Sequence, residues 1–248
     1  MEKAYKLLAI QEKISNNEAK ELIDLGAVIV DGKKLDIARK ELNENTKFVV
    51  QKFQEAKIIF QDDFIIAVNK PPFIVSENLA KEFKANLINR LDKETSGVLL
   101  MSKNEEFIKK AINEFKNLRV QKEYIALVNG VVKEEMEIND PILTIKTKNS
   151  AFSKIDKNGK TAVSFVEPLM IVGKKSLVKI SIKTGRTHQI RVHLKSAGFG
   201  ILGDTKYAKI PDKRMFLHSY KTKIFDYEFI ALLDKSFCVY GFDVPNKF

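Results

Sequence analysis

The chain has 248 residues, 44% of them hydrophobic and 17 of them Phe, which suffices for one large domain or a medium one with a small companion and excludes wholesale disorder. Lys and Arg number 43 against 32 Asp and Glu, and the net charge of +11 points to a polyanionic partner, nucleic acid first. A single cysteine excludes an internal disulfide and no stretch approaches the ~20 apolar residues of a membrane span, so a cytoplasmic protein is expected.

Residues 1–52 read as a separate unit. Ala4, Leu7 and Leu8 give a short amphipathic stripe. Ser15 and Glu18 have the spacing of a capping box ahead of Ala19, Leu22, Ile23 and Leu25, and Gly26 is placed to end that helix. Val28 and Val30 alternate into an Asp31-Gly32 hairpin turn, with Lys33 and Lys34 just beyond it, and Phe48-Val49-Val50 closes the unit as a strand. Two short helices, a hairpin and scattered lysines, Lys33 and Lys34 among them, make a compact surface able to meet phosphates.

A second unit, residues 53–248, begins near Gln54. Ile58-Ile59-Phe60 is a short strand, Gln61-Asp62-Asp63 a turn, and Phe64–Val68 a buried strand that stops at Asn69-Lys70-Pro71-Pro72, where tandem proline cannot continue a ladder. Phe83 and Leu87 are expected in a short helix. The block from Asn89 to Gly97 then places Arg90 and Asp92 two apart, on one side of an extended segment, and runs into the apolar strand Val98–Met101. A carboxylate held beside guanidinium groups stays ionised and directed, as a nucleophile or general base must be.

Phe107, Ile108, Ala111, Ile112 and Phe115 recur at helical spacing, and Gln121–Gly130 alternates as a strand with Tyr124 on one face. The lysine-rich segment 141–161 reads as a hairpin or exposed loop that could touch RNA. Val178, Ile180 and Ile182 share a strand face that breaks at Gly185, and Thr187 is placed to cap a short helix. Arg186, His188 and Arg191 therefore cluster at a strand-to-helix corner whose free N–H groups favour anions. Gly198, Gly200 and Gly203 have dinucleotide-fingerprint spacing but lack the strand before and the helix after, so no nucleotide cofactor is expected. His188 and His193 face different sides of a helix with no cysteine cluster, so no metal site is expected either. Cys238, between Phe237 and Val239, reads as a packed, inert thiol.

Three motifs together resemble the RluA family of RNA pseudouridine synthases: Asn89-Arg90-Leu91-Asp92, Lys122-Glu123-Tyr124-Ile125-Ala126, and Thr184-Gly185-Arg186-Thr187-His188-Gln189-Ile190-Arg191-Val192-His193. Ile201-Leu202-Gly203-Asp204, Tyr207 and Leu217-His218 extend the likeness, which runs from about Ile58 to the C-terminus. Asn89 departs from the family's usual His, Pro72-Phe73 stands where a Gly is usual, and Phe199-Gly200 replaces its His-Pro. The resemblance implies an α+β fold, a mixed and largely antiparallel sheet with one central active-site cleft, preceded by a small α/β RNA-binding module. It also implies that Asp92 is the nucleophile or base, that Tyr124 packs on the base and that Arg191 pairs with Asp92. Arg90 would occupy the space a flipped base vacates or hold a flanking phosphate, while Arg186, His188, Lys33 and Lys34 would meet the RNA. Residues 1–52 resemble the RNA-binding module named after small-ribosomal-subunit protein four, which favours large-subunit rRNA over tRNA as the substrate. No cofactor is implied, and a monomer is expected. Two alternatives stand beside this: a non-catalytic RNA-binding or ribosome-assembly protein that keeps the synthase fold, and, with less support, a metal-dependent nuclease, for which no carboxylate cluster accompanies Asp92.

Overall fold

The computed structural model describes residues 1–24, 26–50, 55–147, 151–245 and 247–248. Leu25 and the boundary expected near Gln54 lie outside the described residues, as does the side chain of Lys34. The chain divides into two compact units, Met1–Glu55 and Ala56–Phe248.

The first unit contains β1 (Glu2–Lys3), α1 (Ala4–Glu12), α2 (Asn16–Asp24), β2 (Val28–Val30), β3 (Lys33–Lys34), β4 (Glu41–Leu42) and β5 (Val49–Val50). The α2 start is the expected box: Glu18 N–H donates to Ser15 Oγ at 3.2 Å, and Ser15 N–H donates back to the Glu18 carboxylate at 2.8 Å. Gly26, at φ 70°, turns the chain out of the helix. Asp31 and Gly32 both have positive φ, the requirement of the two-residue turn that pairs Val30 with Lys33. Ala4, Leu8, Ala19, Ile23, Val28 and Phe48 form the core of this unit.

The second unit is built on one large sheet. Its elements in chain order are β6 (Lys57–Gln61), β7 (Ile66–Lys70), α3 (Ser76–Glu82), β8 (Asn86–Leu87), β9 (Ser96–Ser102), α4 (Glu105–Lys116) and β10 (Gln121–Asn129). There follow β11 (Met136–Ile138), β12 (Ile142–Lys146), β13 (Ala151–Ile155), β14 (Ser164–Val172), β15 (Lys175–Ile182), α5 (Gln189–Ser196), β16 (Leu217–Ile224) and β17 (Tyr227–Ile230). The strand order is β11-β14-β15-β10-β16-β9-β7-β6, with β8 beside β9 and β17 beside β16. Among the described residues every ladder in this sheet is antiparallel except β9 against β16. That pairing places Gly97 (φ 110°) opposite Ser219, and a Cβ there would lie 2.2 Å from the Ser219 carbonyl oxygen. The mixed α+β architecture expected from the motifs is the one observed.

Alternation along the central strands covers both faces of the sheet. Val98 and Leu100 join Ala111 of α4 on one face, while Leu99 and Met101 join Leu79 and Ala80 of α3 on the other. Ala126, Val128, Val178 and Ile180 pack on Ile190 and Leu194 of α5. Tyr124 packs against both the α3 and the α5 clusters, so one sheet face carries Tyr124 between two helices. The lysine-rich segment contains the β12–β13 hairpin, with its tip outside the described residues.

Three local expectations are corrected. Leu87 lies in β8, not in a helix, because the chain leaves α3 at Phe83 and Leu87 pairs with Met101. The strand expected from Phe64 starts at Ile66, since Asp62 Oδ1 takes the N–H groups of both Phe64 and Ile65 in an Asx turn. Cys238 is exposed rather than packed: it follows a one-turn helix whose buried residue is Phe237, so its side chain leaves the core. Among the described residues no helix is long and apolar enough to cross a membrane.

Candidate active site

Asp92 sits in a tight turn between α3 and β9, where the backbone is clamped on both sides. Ser76 Oγ donates to the Leu91 carbonyl at 3.0 Å and accepts the Leu91 N–H at 3.2 Å. The Lys93 carbonyl accepts from Phe73 N–H at 2.7 Å and from Lys70 Nζ at 3.2 Å, and Thr95 N–H closes the turn on the Asp92 carbonyl at 3.1 Å. Lys70 is fully buried, and Nζ also reaches the carbonyls of Pro71 and Ile74, three acceptors for the three protons of an ammonium. Burial lowers its pKa to about 7, opposed by the charges of Glu94 and Asp92. Phe73, where the family usually has a glycine nearby, takes the left-handed conformation at φ 72° and is buried. Asn89 Oδ1 accepts the Leu100 N–H at 2.7 Å, tying the block to β9.

The second half of the site comes from the β15–α5 corner. Thr187 does not cap α5; His188 holds the N-cap position in the left-handed conformation, with φ 56°. The corner is fixed instead by buried Gln189, whose Oε1 accepts from Arg186 N–H and the Thr184 hydroxyl, and whose Nε2 donates to the Val163 carbonyl and Ser164 Oγ. A helix starting there turns Arg191 inward, buried, toward two carboxylates. Its Nε and Nη2 grip Asp204 at 2.9 and 2.8 Å, and Nη1 donates to Asp92 Oδ2 at 3.1 Å, with Glu94 at 3.8 Å from the same nitrogen. These hydrogen bonds and charges overcome burial and raise the pKa of Arg191. Burial works against Asp204 ionising, yet the hydrogen bonds and charge of Arg191 hold its carboxyl below the usual range.

Asp92, Tyr124, Arg191, Arg90, Arg186 and His188 all line one cavity of about 110 Å³. Arg90 stands at its mouth, 76% exposed and paired with Glu77 at 3.0 Å, so the guanidinium that holds Asp92 is Arg191, not Arg90. Arg186 donates to the Thr161 carbonyl at 2.9 Å from the other rim. His188 Nε2 is 3.8 Å from Asp92 Oδ2; burial lowers its pKa, with Arg191 and Lys206 adding to the effect and Asp92 opposing it. Burial, reinforced by the Asp92 charge, pushes the Tyr124 hydroxyl up to about 12, so Tyr124 is a neutral phenol at any physiological pH. Lys33, on the hairpin of the first unit, is exposed.

Sequence reasoning missed four supporting residues: Lys70, Ser76, Gln189 and Asp204 in its role as the fixed partner of Arg191. Gln189 and Asp204 carried a signal, their places in the Thr184–His193 motif and in Ile201-Leu202-Gly203-Asp204. A further buried network stands behind the turn: Arg214 donates to Ser96 Oγ at 2.5 Å and to Asp234 at 2.6 Å, and Ser96 Oγ lies 2.8 Å from His218 Nδ1.

A family model described as RNA pseudouridylate synthase matches residues 46–196. Over 241 residues, 96% of this chain and 99% of the relative, the chain is 55% identical to an "Uncharacterized RNA pseudouridine synthase" of Helicobacter pylori. It is 34% identical over 196 residues, 67% of this chain and 60% of the relative, to the "Ribosomal large subunit pseudouridine synthase D" of Borreliella burgdorferi. The solved structure of "Human RNA Pseudouridylate Synthase Domain Containing 1" superposes with a TM-score of 0.65 and 26% identity, covering 73% of this chain and 84% of that one.

Proposed function

The chain belongs to the RNA pseudouridylate synthase family, and we propose that it converts specific uridines of structured RNA to pseudouridine with Asp92 as the reacting carboxylate. It is an isomerase acting on RNA. The C1′–N1 bond of uridine breaks, the base turns, and a C1′–C5 bond forms; the proton lost from C5 is matched by one gained at N1, so nothing is oxidised or hydrolysed overall.

The observation that carries the assignment to Asp92 is the two-sided grip of Arg191. Asp204 fixes the guanidinium through two nitrogens, and the third is left to hold Asp92 in one orientation at the cavity wall. A carboxylate so held is pre-aimed, as either nucleophile or base requires. Tyr124 offers a flat, neutral ring beside it for the uracil. The cavity is too small for a stacked helix, so the target base enters flipped, with Arg90 at the mouth to fill its place or hold a flanking phosphate. Arg186 would contact the flanking RNA from the opposite rim, with the largely buried His188 between it and Asp92 on the cavity wall. The joint presence of Asp92, Arg191, Asp204 and Tyr124 in working geometry supports catalysis over the non-catalytic alternative.

We assign the first unit, with Lys33 and Lys34 on its hairpin, to RNA binding in the manner of the module of small-ribosomal-subunit protein four, and large-subunit rRNA as the substrate in preference to tRNA. The net charge of +11 and the large-subunit relative support this reading. Pseudouridine mapping of rRNA and tRNA from cells with and without the chain tests it. Loss of one or a few sites in large-subunit rRNA is expected; loss confined to tRNA would overturn the substrate, and no loss in either would overturn the function.

A further inference from the structure

We infer that Tyr207 fixes His188 in the tautomer that carries its proton on Nε2, so that His188 aims an N–H at the Asp92 carboxylate and acts as a positioning residue for it. This rests on Asp92 being the reacting group. Proton counting leads there. Ser153 N–H donates to Tyr207 Oη at 2.9 Å, so that oxygen already accepts one hydrogen bond. The phenol has a single proton, and its 2.6 Å contact with His188 Nδ1 has the length of an O–H donor rather than the about 2.7–3.2 Å of an N–H one, which makes Nδ1 the acceptor. An Nδ1 that accepts leaves the proton of the neutral imidazole on Nε2. That nitrogen faces Asp92 Oδ2 at 3.8 Å, longer than a hydrogen bond and within reach of a small closure on substrate.

The phenol is held for this task on every side. Its ring stacks on Phe152 at 5.4 Å, the Arg191 guanidinium lies 5.1 Å from its centroid, and its backbone N–H donates to Asp204 Oδ1 at 3.1 Å. Burial keeps the hydroxyl protonated. The left-handed backbone at His188 is a further sign that the imidazole is held in place at a conformational cost. Ser153 lies on β13, so the β12–β13 hairpin sets the proton direction at the cavity wall.

Two measurements test this on the full-length chain. Long-range ¹H–¹⁵N spectra near pH 7.5, with His188 assigned by its loss in His188→Gln, should show the Nε2–H form, and the Nδ1 resonance should move downfield in Tyr207→Phe as its donor is removed. An Nδ1–H tautomer, or an Nδ1 resonance that Tyr207→Phe does not move, overturns the inference. In single-turnover pseudouridine formation at saturating RNA, Tyr207→Phe should slow the rate roughly 3- to 30-fold with RNA affinity unchanged, and should have less than about a twofold effect in a His188→Gln background. Effects that multiply across the two substitutions would overturn coupling through His188. If Asp92 proved dispensable for turnover, the role given to Asp92 would fall, while the spectra would still decide the tautomer.

Discussion

Asn89 shows how far one side chain can be exchanged without losing what it does. Its Oδ1 takes the Leu100 N–H, and the Nδ1 of a histidine sits at the same number of bonds from the backbone, so it can take the same proton. Asn89→His is therefore expected to keep activity within about tenfold, ~1.4 kcal/mol of barrier. Asn89→Leu should instead destabilise the fold by about 1–3 kcal/mol in urea melts, because a buried strand N–H loses its acceptor. Equal melts for Asn89→Leu and the natural chain would remove this role. The same logic separates what could be read at the residue scale from what could not. Asp92, Tyr124 and Arg191 stand in long motifs and were legible. Lys70 and Ser76 act through backbone carbonyls and amides of a turn 15 or more residues away in the chain, Ser76 on Leu91 and Lys70 on Lys93, and no spacing rule reports such bonds. Arg90, two residues from Asp92 in the chain, pairs with Glu77 instead, and the guanidinium on Asp92 is that of Arg191, 99 residues downstream, as the motif implied.

At the scale of elements, the parallel pairing of β9 with β16 decides where Asp92 sits, since β9 begins four residues beyond it. Gly97→Ala should be among the most damaging small substitutions in the chain. The added methyl would meet the Ser219 backbone at 2.2 Å and would sit at φ 110°, so a loss of about 3 kcal/mol or more, or failure to fold, is expected in denaturant titration. A melt within ~1 kcal/mol of the natural chain would show that this strand pairing yields easily. The alternating strands β10 and β15, the amphipathic α4, the α2 capping box and the Asp31-Gly32 turn were all legible, because each is written in local periodicity or turn chemistry. The order of strands was not, because pairing β16 with both β9 and β10 is a matter of distant packing. The α5 start departs from expectation for a related reason: Thr187 has the right residue type, but the N-cap is His188, without a side-chain cap, and Gln189 instead ties the preceding loop through Arg186 N–H and the Thr184 hydroxyl.

For the molecule as a whole, buried histidines tie stability to acidity. His218 Nε2 bonds the Ala231 carbonyl, and burial lowers its pKa to about 4, below the ~6.5 of an unfolded histidine. A depressed folded value means that its contribution is fully present above about pH 6.5 and is lost as pH falls toward 4, by roughly 3 kcal/mol in all. His188 and His193 are shifted in the same direction, chiefly by burial. His218→Gln should therefore flatten most of the decline in stability between pH 6.5 and 4; an unchanged slope would place the acid sensitivity elsewhere. On the RNA side, Lys33→Ala combined with Lys34→Ala should weaken binding and lower the salt dependence by about 0.7–0.9 log units for each phosphate no longer neutralised, with catalysis on bound RNA unchanged. The same salt slope in both proteins would exclude these lysines from the interface. The central claim is that Asp92, held by Arg191, is the reacting group of an RNA isomerase, and single-turnover pseudouridine formation by Asp92→Asn on its mapped RNA, beside a binding assay at fixed salt, tests it most directly. The account predicts native-like RNA affinity with the rate reduced by many powers of ten, and substantial turnover by the Asp92→Asn protein would contradict it.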